Sequence, residues 1–246
     1  MRKGILALLV VALLGGRAAA ETVDLELVLL ADVSRSVDDE EFKLQRQGYA
    51  AALTDPRVLR AIFSGSHRAV ALTFIEFAGG DEQTVIAGWT VVRDEEGAAE
   101  LAQTILTAPR AHYGRTGIGA AIDVAMAQFG RSAVASERRV IDVSADGTSN
   151  SGRTVQGARD AAVAAGVTIN ALVIVSDVPS PGNPAHTHPP GGLPEYFREN
   201  VIGGPDAFHL VVEDFKSFGE AVVKKLVTEI AHASGRATTQ AAIVDR

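Results

Sequence analysis

The sequence predicts an α/β fold: a doubly wound, mostly parallel sheet with one antiparallel edge strand and helices on both faces. Short aliphatic runs alternate along the chain with longer amphipathic segments, which is the pattern of strands joined by crossover helices. The run Leu25–Ala31 is rich in aliphatic residues, as expected of a strand buried on both faces. Polar loops follow several of these runs, at the edge where such sheets bind ligands.

Six segments have the length and composition of strands. They combine aliphatic and β-branched residues and are bounded by glycine or polar residues. One of them follows a Gly-Gly-Asp turn and is predicted to pair antiparallel with the strand before it, at the sheet edge. The predicted strands are Leu25–Ala31, Ala69–Phe77, Gln83–Val92, Arg139–Ser144, Thr168–Val175 and Phe208–Val212.

The intervening segments have the features of helices. Acidic residues at 38–41 and 94–96 mark two helix starts, where negative charge complements the helix dipole. The last helix carries an apolar stripe at the helical period. The predicted helices are Glu40–Leu53, Arg57–Phe63, Asp94–Leu106, Ile118–Phe129, Thr154–Ala165, the short Pro194–Asn200 and the final Phe215–Ala233.

The two ends of the chain are predicted to lie outside the folded domain. Residues 1–20 combine a basic start, a short apolar core and the small residues Ala18-Ala19-Ala20, which is the pattern of a cleavable signal peptide. We therefore expect export, to the periplasm or out of the cell, with cleavage between Ala20 and Glu21. Residues 21–233 form the predicted domain, and residues 234–246 are expected to be a loose tail.

The composition favours a binder of cations over a binder of polyanions. The formal net charge is −7, and residues 1–20 contribute only basic charges, so the mature chain is more acidic still. Nucleic acid and anionic membrane surfaces reward basic patches, so neither is an expected partner. The chain has no cysteine, which excludes disulfides. No stretch after residue 20 is apolar and long enough to predict a membrane span.

The first candidate site directly follows the first predicted strand. Asp32, Ser34 and Ser36 alternate in the loop that leaves its carboxyl end, so one carboxylate and two hydroxyls can point the same way. Hard oxygen donors of this kind suit Mg²⁺ or Mn²⁺. Aspartate and serine are also common in turns, and an Asx turn is the simpler alternative for these residues alone.

Two later loops are predicted to reach the same edge of the sheet. Thr116 lies in a glycine-rich loop before a predicted helix, and Asp146 follows the strand Arg139–Ser144 in an Asp-Gly pair. Taken singly, the threonine could be a helix N-cap and the Asp-Gly pair an ordinary turn. Three such loops in order, at one edge, favour a shared site.

In order and setting, the three loops resemble the metal-ion-dependent adhesion site (MIDAS) of a von Willebrand factor A domain. The resemblance covers Val23 to about Ile230 and implies that family's Rossmann-like fold. The matching segments are the D-x-S-x-S opening at residues 32–36, the G-x-T-x-x-G-x-A setting carried by Gly114, Thr116, Gly119 and Ala121, and the pair Asp146-Gly147.

The resemblance implies a metal site and a binding function. Asp32, Ser34, Ser36 and Thr116 would hold the cation, Mg²⁺ or alternatively Mn²⁺ or Ca²⁺, and Asp146 would bind it directly or through water. One coordination position would stay open for an Asp or Glu carboxylate of a protein partner. We therefore expect an exported, divalent-metal-dependent protein-binding module for adhesion or scaffolding, and not an enzyme.

Other functions compete with this interpretation. A metal-free structural domain of the same family is the main alternative, and a hydrolase that uses the same loops is a weaker one. Ser34 and Ser36 lack a G-x-S-x-G elbow, and the pattern places no histidine beside them. A phosphotransferase would need a second carboxylate two residues after Asp32, and the G-x-G-x-x-G fingerprint of a dinucleotide-binding enzyme is absent.

Residues 176–206 form a segment rich in proline, glycine and histidine. Its stretch 196–205 resembles a signature of an uncharacterised bacterial branch of exported von Willebrand A-like proteins, the DUF1194-like branch. His186 and His188 form an H-x-H pair that could bind a transition metal, but a solvated loop is the favoured interpretation. Trp89 is predicted to be a core residue, and Tyr113, beside the threonine loop, is either a partner contact or a surface side chain.

Overall fold

The computed structural model describes residues 20–175 and 183–244, without the side chains of residues 232–244. The strands are β1 (Glu21–Thr22), β2 (Leu25–Asp32), β3 (Val70–Phe77), β4 (Gln83–Val92), β5 (Val134–Ala135), β6 (Arg139–Ala145), β7 (Val167–Ile174) and β8 (His209–Val212). The helices are α1 (Asp39–Leu53), α2 (Pro56–Phe63), α3 (Glu95–Thr107), α4 (Ile118–Phe129), α5 (Val155–Ala164), α6 (Pro184–Thr187), α7 (Leu193–Asn200) and α8 (Phe218–Val244).

A six-stranded sheet in the order β4-β3-β2-β6-β7-β8 organises the domain. The pair β3–β4 is antiparallel and every other pair in this sheet is parallel. The predicted fold class is therefore confirmed, including the antiparallel edge strand. The sequence analysis missed the two-residue strands β1 and β5, which pair parallel with each other and are too short to have a recognisable pattern.

Helices cover both faces of the sheet, and the central strand β2 is buried along its whole length. Its side chains alternate between two cores, as successive residues of a strand must. Leu25, Leu27 and Leu29 pack with residues of α1, α2, α3 and α8. Val28 and Leu30 pack with residues of α4, α5 and α7. Trp89, predicted to be a core residue, is partly buried: it packs against the second core and donates a hydrogen bond to the Gln128 carbonyl at 2.9 Å.

The last helix differs from its predicted bounds. It begins at Phe218 and not at Phe215, because Asp214 accepts a hydrogen bond from the Ser217 amide at 2.8 Å and holds a turn there. It continues to Val244, beyond its predicted end at Ala233 and through residues 234–244. This stretch is rich in alanine, and no proline follows Pro205 to stop the helix.

Two predicted features lie largely outside the described residues. The expected signal peptide covers residues 1–20, of which the structure describes only residue 20, and residues 176–182 of the insertion are also not described. No helix within the described part of the chain is both long and apolar enough to cross a membrane.

A buried charged cluster fixes α8 to the sheet. The ammonium of Lys225, fully buried, contacts the Asp142 carboxylate of β6 and lies 2.8 Å from Glu229 Oε1. Asn170 of β7 also donates to Glu229 Oε1, at 2.9 Å. One ammonium cannot neutralise two buried carboxylates, so burial raises the pKa of Asp142 to about 7 while Lys225 keeps its charge.

Replacing Lys225 is expected to destabilise the fold strongly. Lys225→Met leaves two buried carboxylates without a cation, so the free energy of unfolding should fall by about 3 kcal/mol or more. Urea unfolding at pH 7 measures the change, and Lys224→Met is the matched control because Lys224 is exposed on the same helix. Equal losses of unfolding free energy in the two variants would show that the buried cluster does not stabilise the fold.

Candidate metal centre

The predicted site residues all lie at the carboxyl edge of the parallel strands. Asp32 is the last residue of β2, and Asp146 follows the end of the neighbouring strand β6. Thr116 lies two residues before α4, whose first residue is Ile118. Ligands of doubly wound sheets bind at this edge.

Hydrogen bonds link four of the five side chains to one another, and Asp32 is joined to them through the Ser34 backbone. Thr116 Oγ1 donates to Ser34 Oγ at 3.0 Å, and Ser34 Oγ is 3.0 Å from Ser36 Oγ. Ser36 Oγ in turn donates to Asp146 Oδ1 at 2.8 Å. Asp32 Oδ1 accepts from the Ser34 amide at 2.8 Å. The structure therefore brings together all the residues that the sequence analysis selected, although they come from three separate loops.

The two carboxylates of this group are buried without a matching positive charge. Asp32 is 0% exposed, Asp146 is 7% exposed, and Asp32 Oδ2 has no hydrogen-bond partner among the described residues. Burial, followed by the nearby Asp146 carboxylate, raises the pKa of Asp32 well above its ordinary value. Burial also raises the pKa of Asp146 to about 6. A divalent cation fits this donor set, because it would neutralise the carboxylates and occupy the unpartnered oxygen.

Arg110 fixes the loop that carries the two serines, and the sequence analysis did not identify it. Its Nη2 donates to three backbone carbonyls of that loop, those of Val33 at 2.9 Å, Ser34 at 3.0 Å and Val37 at 2.8 Å. The exposed ring of Tyr113 covers the guanidinium, with 3.9 Å from Arg110 Cζ to the ring centroid. No local pattern identifies such an arginine, because its partners are more than seventy residues earlier in the chain.

Asn150 ties the threonine loop to the loop that carries Asp146. Its side-chain Oδ1 accepts a hydrogen bond from the Thr116 backbone amide at 3.0 Å, and its backbone amide donates to the Thr116 carbonyl at 2.8 Å. Gly119, part of the predicted motif, lies so close to the Arg153 carbonyl that a Cβ at this position would collide with it. Two loops that approach this closely hold Thr116 in a fixed position beside Ser34.

At His186 the structure contradicts the prediction of a solvated loop. It lies on the short helix α6 and is only 6% exposed, with its ring against Gly147. Its Nε2 is 3.4 Å from Thr116 Oγ1, and its backbone carbonyl accepts from the Thr148 amide at 2.9 Å. His188 is exposed, as predicted. The difference arises because Pro184 begins a helical turn that directs one histidine inward, and a turn of four residues has no visible period in the sequence.

The site does not contain a conventional cluster of strong metal ligands. Within the described residues, no three His, Cys, Asp or Glu side chains come together in a way that could hold a metal ion. Its donors are instead two carboxylates and three hydroxyls, with the imidazole of His186 next to them. Such a set relies on hydroxyl oxygens, which suit hard cations.

Solved structures with a similar fold include surface and matrix proteins. Proximal thread matrix protein 1 (PTMP1) from the mussel byssus has a TM-score of 0.60 and 15% identity, over 85% of this chain and 48% of that one. Another PTMP1 structure, with a zinc occupied MIDAS motif, has a TM-score of 0.57 and 15% identity, over 85% of this chain and 48% of that one. The pilus adhesin SpaC from Lactobacillus rhamnosus GG has a TM-score of 0.59 and 13% identity, over 87% of this chain and 31% of that one.

The conserved hypothetical protein BatB from Bacteroides thetaiotaomicron matches over nearly its whole length. Its TM-score is 0.51 at 16% identity, over 85% of this chain and 99% of that one. At such identities the likeness shows the fold alone, and this chain spans 48% of PTMP1 and 31% of SpaC.

The family is shown by the sequence itself. No curated protein matches this chain. Residues 22–234 match the model of a family described as "Protein of unknown function (DUF1194)". The chain therefore belongs to the DUF1194 family, and its fold is that of a von Willebrand factor A domain.

Proposed function

We propose that this protein is an exported, divalent-metal-dependent protein-binding module. Asp32, Ser34, Ser36 and Thr116 hold the cation, and Asp146 binds it directly or through water. The observation that carries the proposal is the buried, unpartnered Oδ2 of Asp32, at the end of a chain of hydroxyl and carboxylate donors. A buried anionic oxygen without a partner is costly unless a ligand occupies it.

The charges around the site support a cation there. Arg110 lowers the pKa of Asp32 only as a minor effect, and its hydrogen bonds go to carbonyls of the loop and to the exposed Asp39, not to the Asp32 carboxylate. The two buried carboxylates therefore have no positive charge bonded to them, and a divalent ion would supply it. Mg²⁺ suits the oxygen donors, and Mn²⁺ or Ca²⁺ are the alternatives.

A protein partner follows from the small number of carboxylates. With only Asp32 and Asp146 as anionic donors, the bound ion keeps enough attraction for a third carboxylate, which an Asp or Glu of a partner provides. The similar folds of PTMP1, a matrix protein, and SpaC, a pilus adhesin, support a binding role over a catalytic one. The basic and apolar pattern of residues 1–20 supports a role in the periplasm or outside the cell.

Divalent ions are expected to stabilise the native protein through Asp32. An ion that binds only the folded state adds about 2.7 kcal/mol at a hundredfold excess over its dissociation constant. Thermal unfolding in EDTA and in Mg²⁺, Mn²⁺ or Ca²⁺ measures this, with Asp32→Ala as the test variant and the exposed Asp160→Ala as control. A rise in Tm that only Asp32→Ala loses is the expected result. No rise with any ion would favour the metal-free structural domain.

The ion-free protein is expected to lose stability as the pH rises. The raised pKa values of Asp32 and Asp146 mean that the folded protein binds protons more tightly than the unfolded chain. Their contribution is complete below pH 4 and is lost as the pH rises through the folded-state pKa, which is about 6 for Asp146. Asp32→Asn should reduce the loss between pH 5 and pH 7.5 by about 1 kcal/mol or more.

Urea unfolding in EDTA at the two pH values measures this difference. Asp142, whose pKa is about 7, adds a loss of the same sign, but it is present in both proteins and cancels in the comparison. Identical pH dependence in wild type and Asp32→Asn would contradict the electrostatic cost assigned to the site.

Arg110 is expected to support ion binding without touching the ion. Arg110→Lys keeps the positive charge but loses the planar group that bonds to Val33, Ser34 and Val37. The serine loop should loosen, and affinity for the ion should fall about tenfold or more, as for other residues that orient metal ligands. Calorimetric titration measures the affinity, with the exposed Arg115→Lys as control. Unchanged affinity in Arg110→Lys would show that the loop holds its shape without the guanidinium.

A further inference from the structure

Lys225, Asp142 and Glu229 form a buried triad between α8 and the strand β6. Their side chains are 0%, 2% and 0% exposed. Lys225 Nζ contacts Asp142 Oδ1 and lies 2.8 Å from Glu229 Oε1, so one amine faces two carboxyl groups at once. The ring of Phe208 lies 5.7 Å from Nζ. The triad therefore brings a nucleophile, a carboxyl carbon and a second acid together away from solvent.

The charges of the triad are not balanced within it. One ammonium faces two carboxylates, and Glu229 Oε2 has no hydrogen-bond partner among the described residues. Burial raises the pKa of Asp142 to about 7, so this acid carries a proton in about half of the molecules at neutral pH. Burial lowers the pKa of Lys225, but the two carboxylates outweigh this effect and the net shift is upward. The amine is therefore charged until a neighbour accepts its proton, and Glu229 is in position to do so.

We propose that Lys225 and Asp142 join in an intramolecular isopeptide bond, with Glu229 as the group that moves the protons. The bond ties α8 covalently to β6. An amine that contacts a carboxyl oxygen lies roughly 3.5 Å from the carboxyl carbon, which is the separation of reacting atoms that are ready for attack. Desolvation activates lysine as a nucleophile toward carbonyl carbon. The inference is independent of the proposed metal site.

The reaction is a condensation that releases one water molecule. It begins from charged Lys225, protonated Asp142 and ionised Glu229. Glu229 accepts a proton from the ammonium, and the electron pair that this frees on Nζ attacks Asp142 Cγ. As the Nζ–Cγ bond forms, Nζ gives up a second proton, which passes through Glu229 to the hydroxyl that leaves Cγ. The products are a secondary amide, water and protonated Glu229, so atoms and charge balance and no other reactant is needed.

The bond would remove the electrostatic cost of the buried cluster. A neutral amide replaces the ammonium and the Asp142 carboxyl group, and Glu229 keeps a proton, so no uncompensated charge stays buried in the triad. The chain has no cysteine, so no disulfide can fix the last helix. A link between residues far apart in the sequence stabilises as a disulfide does, chiefly by restricting the unfolded chain.

Mass spectrometry of the whole protein tests for the bond. The protein is purified, its N-terminus is determined, and its intact mass is measured under denaturing conditions. We expect a mass lower than that of the unlinked chain by one water molecule. Trypsin should then release residues 140–153 joined to residues 225–236, with no cleavage after Lys225. Glu229→Gln should give the unlinked mass and separate peptides, whereas Glu220→Gln, exposed on the same helix, should keep the link.

The wild-type measurement decides the inference even if Glu229→Gln does not fold. An intact mass equal to that of the unlinked chain would overturn it. A water loss confined to residues 140–153, as from cyclisation of the Asp146-Gly147 pair, would overturn it too, because the two peptides would then stay separate. A link that Glu229→Gln retains would overturn the role of Glu229 in the proton transfers. None of these outcomes bears on the metal site, which the experiments with added ions test.

Discussion

The burial of two carboxylates at one edge of the sheet is the constraint on which the arrangement of this domain depends. Asp32 ends the central strand β2, so its burial follows from that of the strand, which helices cover on both faces. Asp146 directly follows the neighbouring strand β6 and is joined to the same site through Ser36. A fold that brings two such groups together without a cation is less stable than one with neutral residues there, which is the usual relation between stability and a functional site.

The surrounding loops are held so that the site keeps its shape despite this cost. Arg110 binds the backbone of the serine loop, and Asn150 binds the backbone on both sides of Thr116. Arg110 also pairs with the exposed Asp39 carboxylate at 3.3 Å, but neither Arg110 nor Asn150 bonds to the carboxylate of Asp32 or Asp146. The loops are therefore fixed in position while the charge is left for a ligand, which is the arrangement expected of a preorganised binding site.

Patterns of local residues made most of the fold predictable, and the resemblance of three loops to a MIDAS selected the five oxygen-bearing candidate residues. The strand β2 is a run of aliphatic residues, and Asp32, Ser34 and Ser36 follow it at alternate positions. Arg110 and His186 could not be predicted in this way, because each acts through contacts with residues far away in the sequence. Lys225 was missed for a related reason: with Glu229 at i+4 it has the pattern of an exposed helical ion pair.

The strand β6 connects the buried cluster of α8 with the site. Asp142, Ser144 and Asp146 occupy alternate positions, which places the two strand residues Asp142 and Ser144 on one face of the sheet and Asp146 just beyond them. Asp142 contacts Lys225 of α8, and Ser144 accepts a hydrogen bond from the Tyr49 hydroxyl at 2.8 Å. Sliding α8 along the sheet would separate the buried ammonium of Lys225 from the Asp142 carboxylate, so the same strand that precedes Asp146 also fixes the register of the last helix.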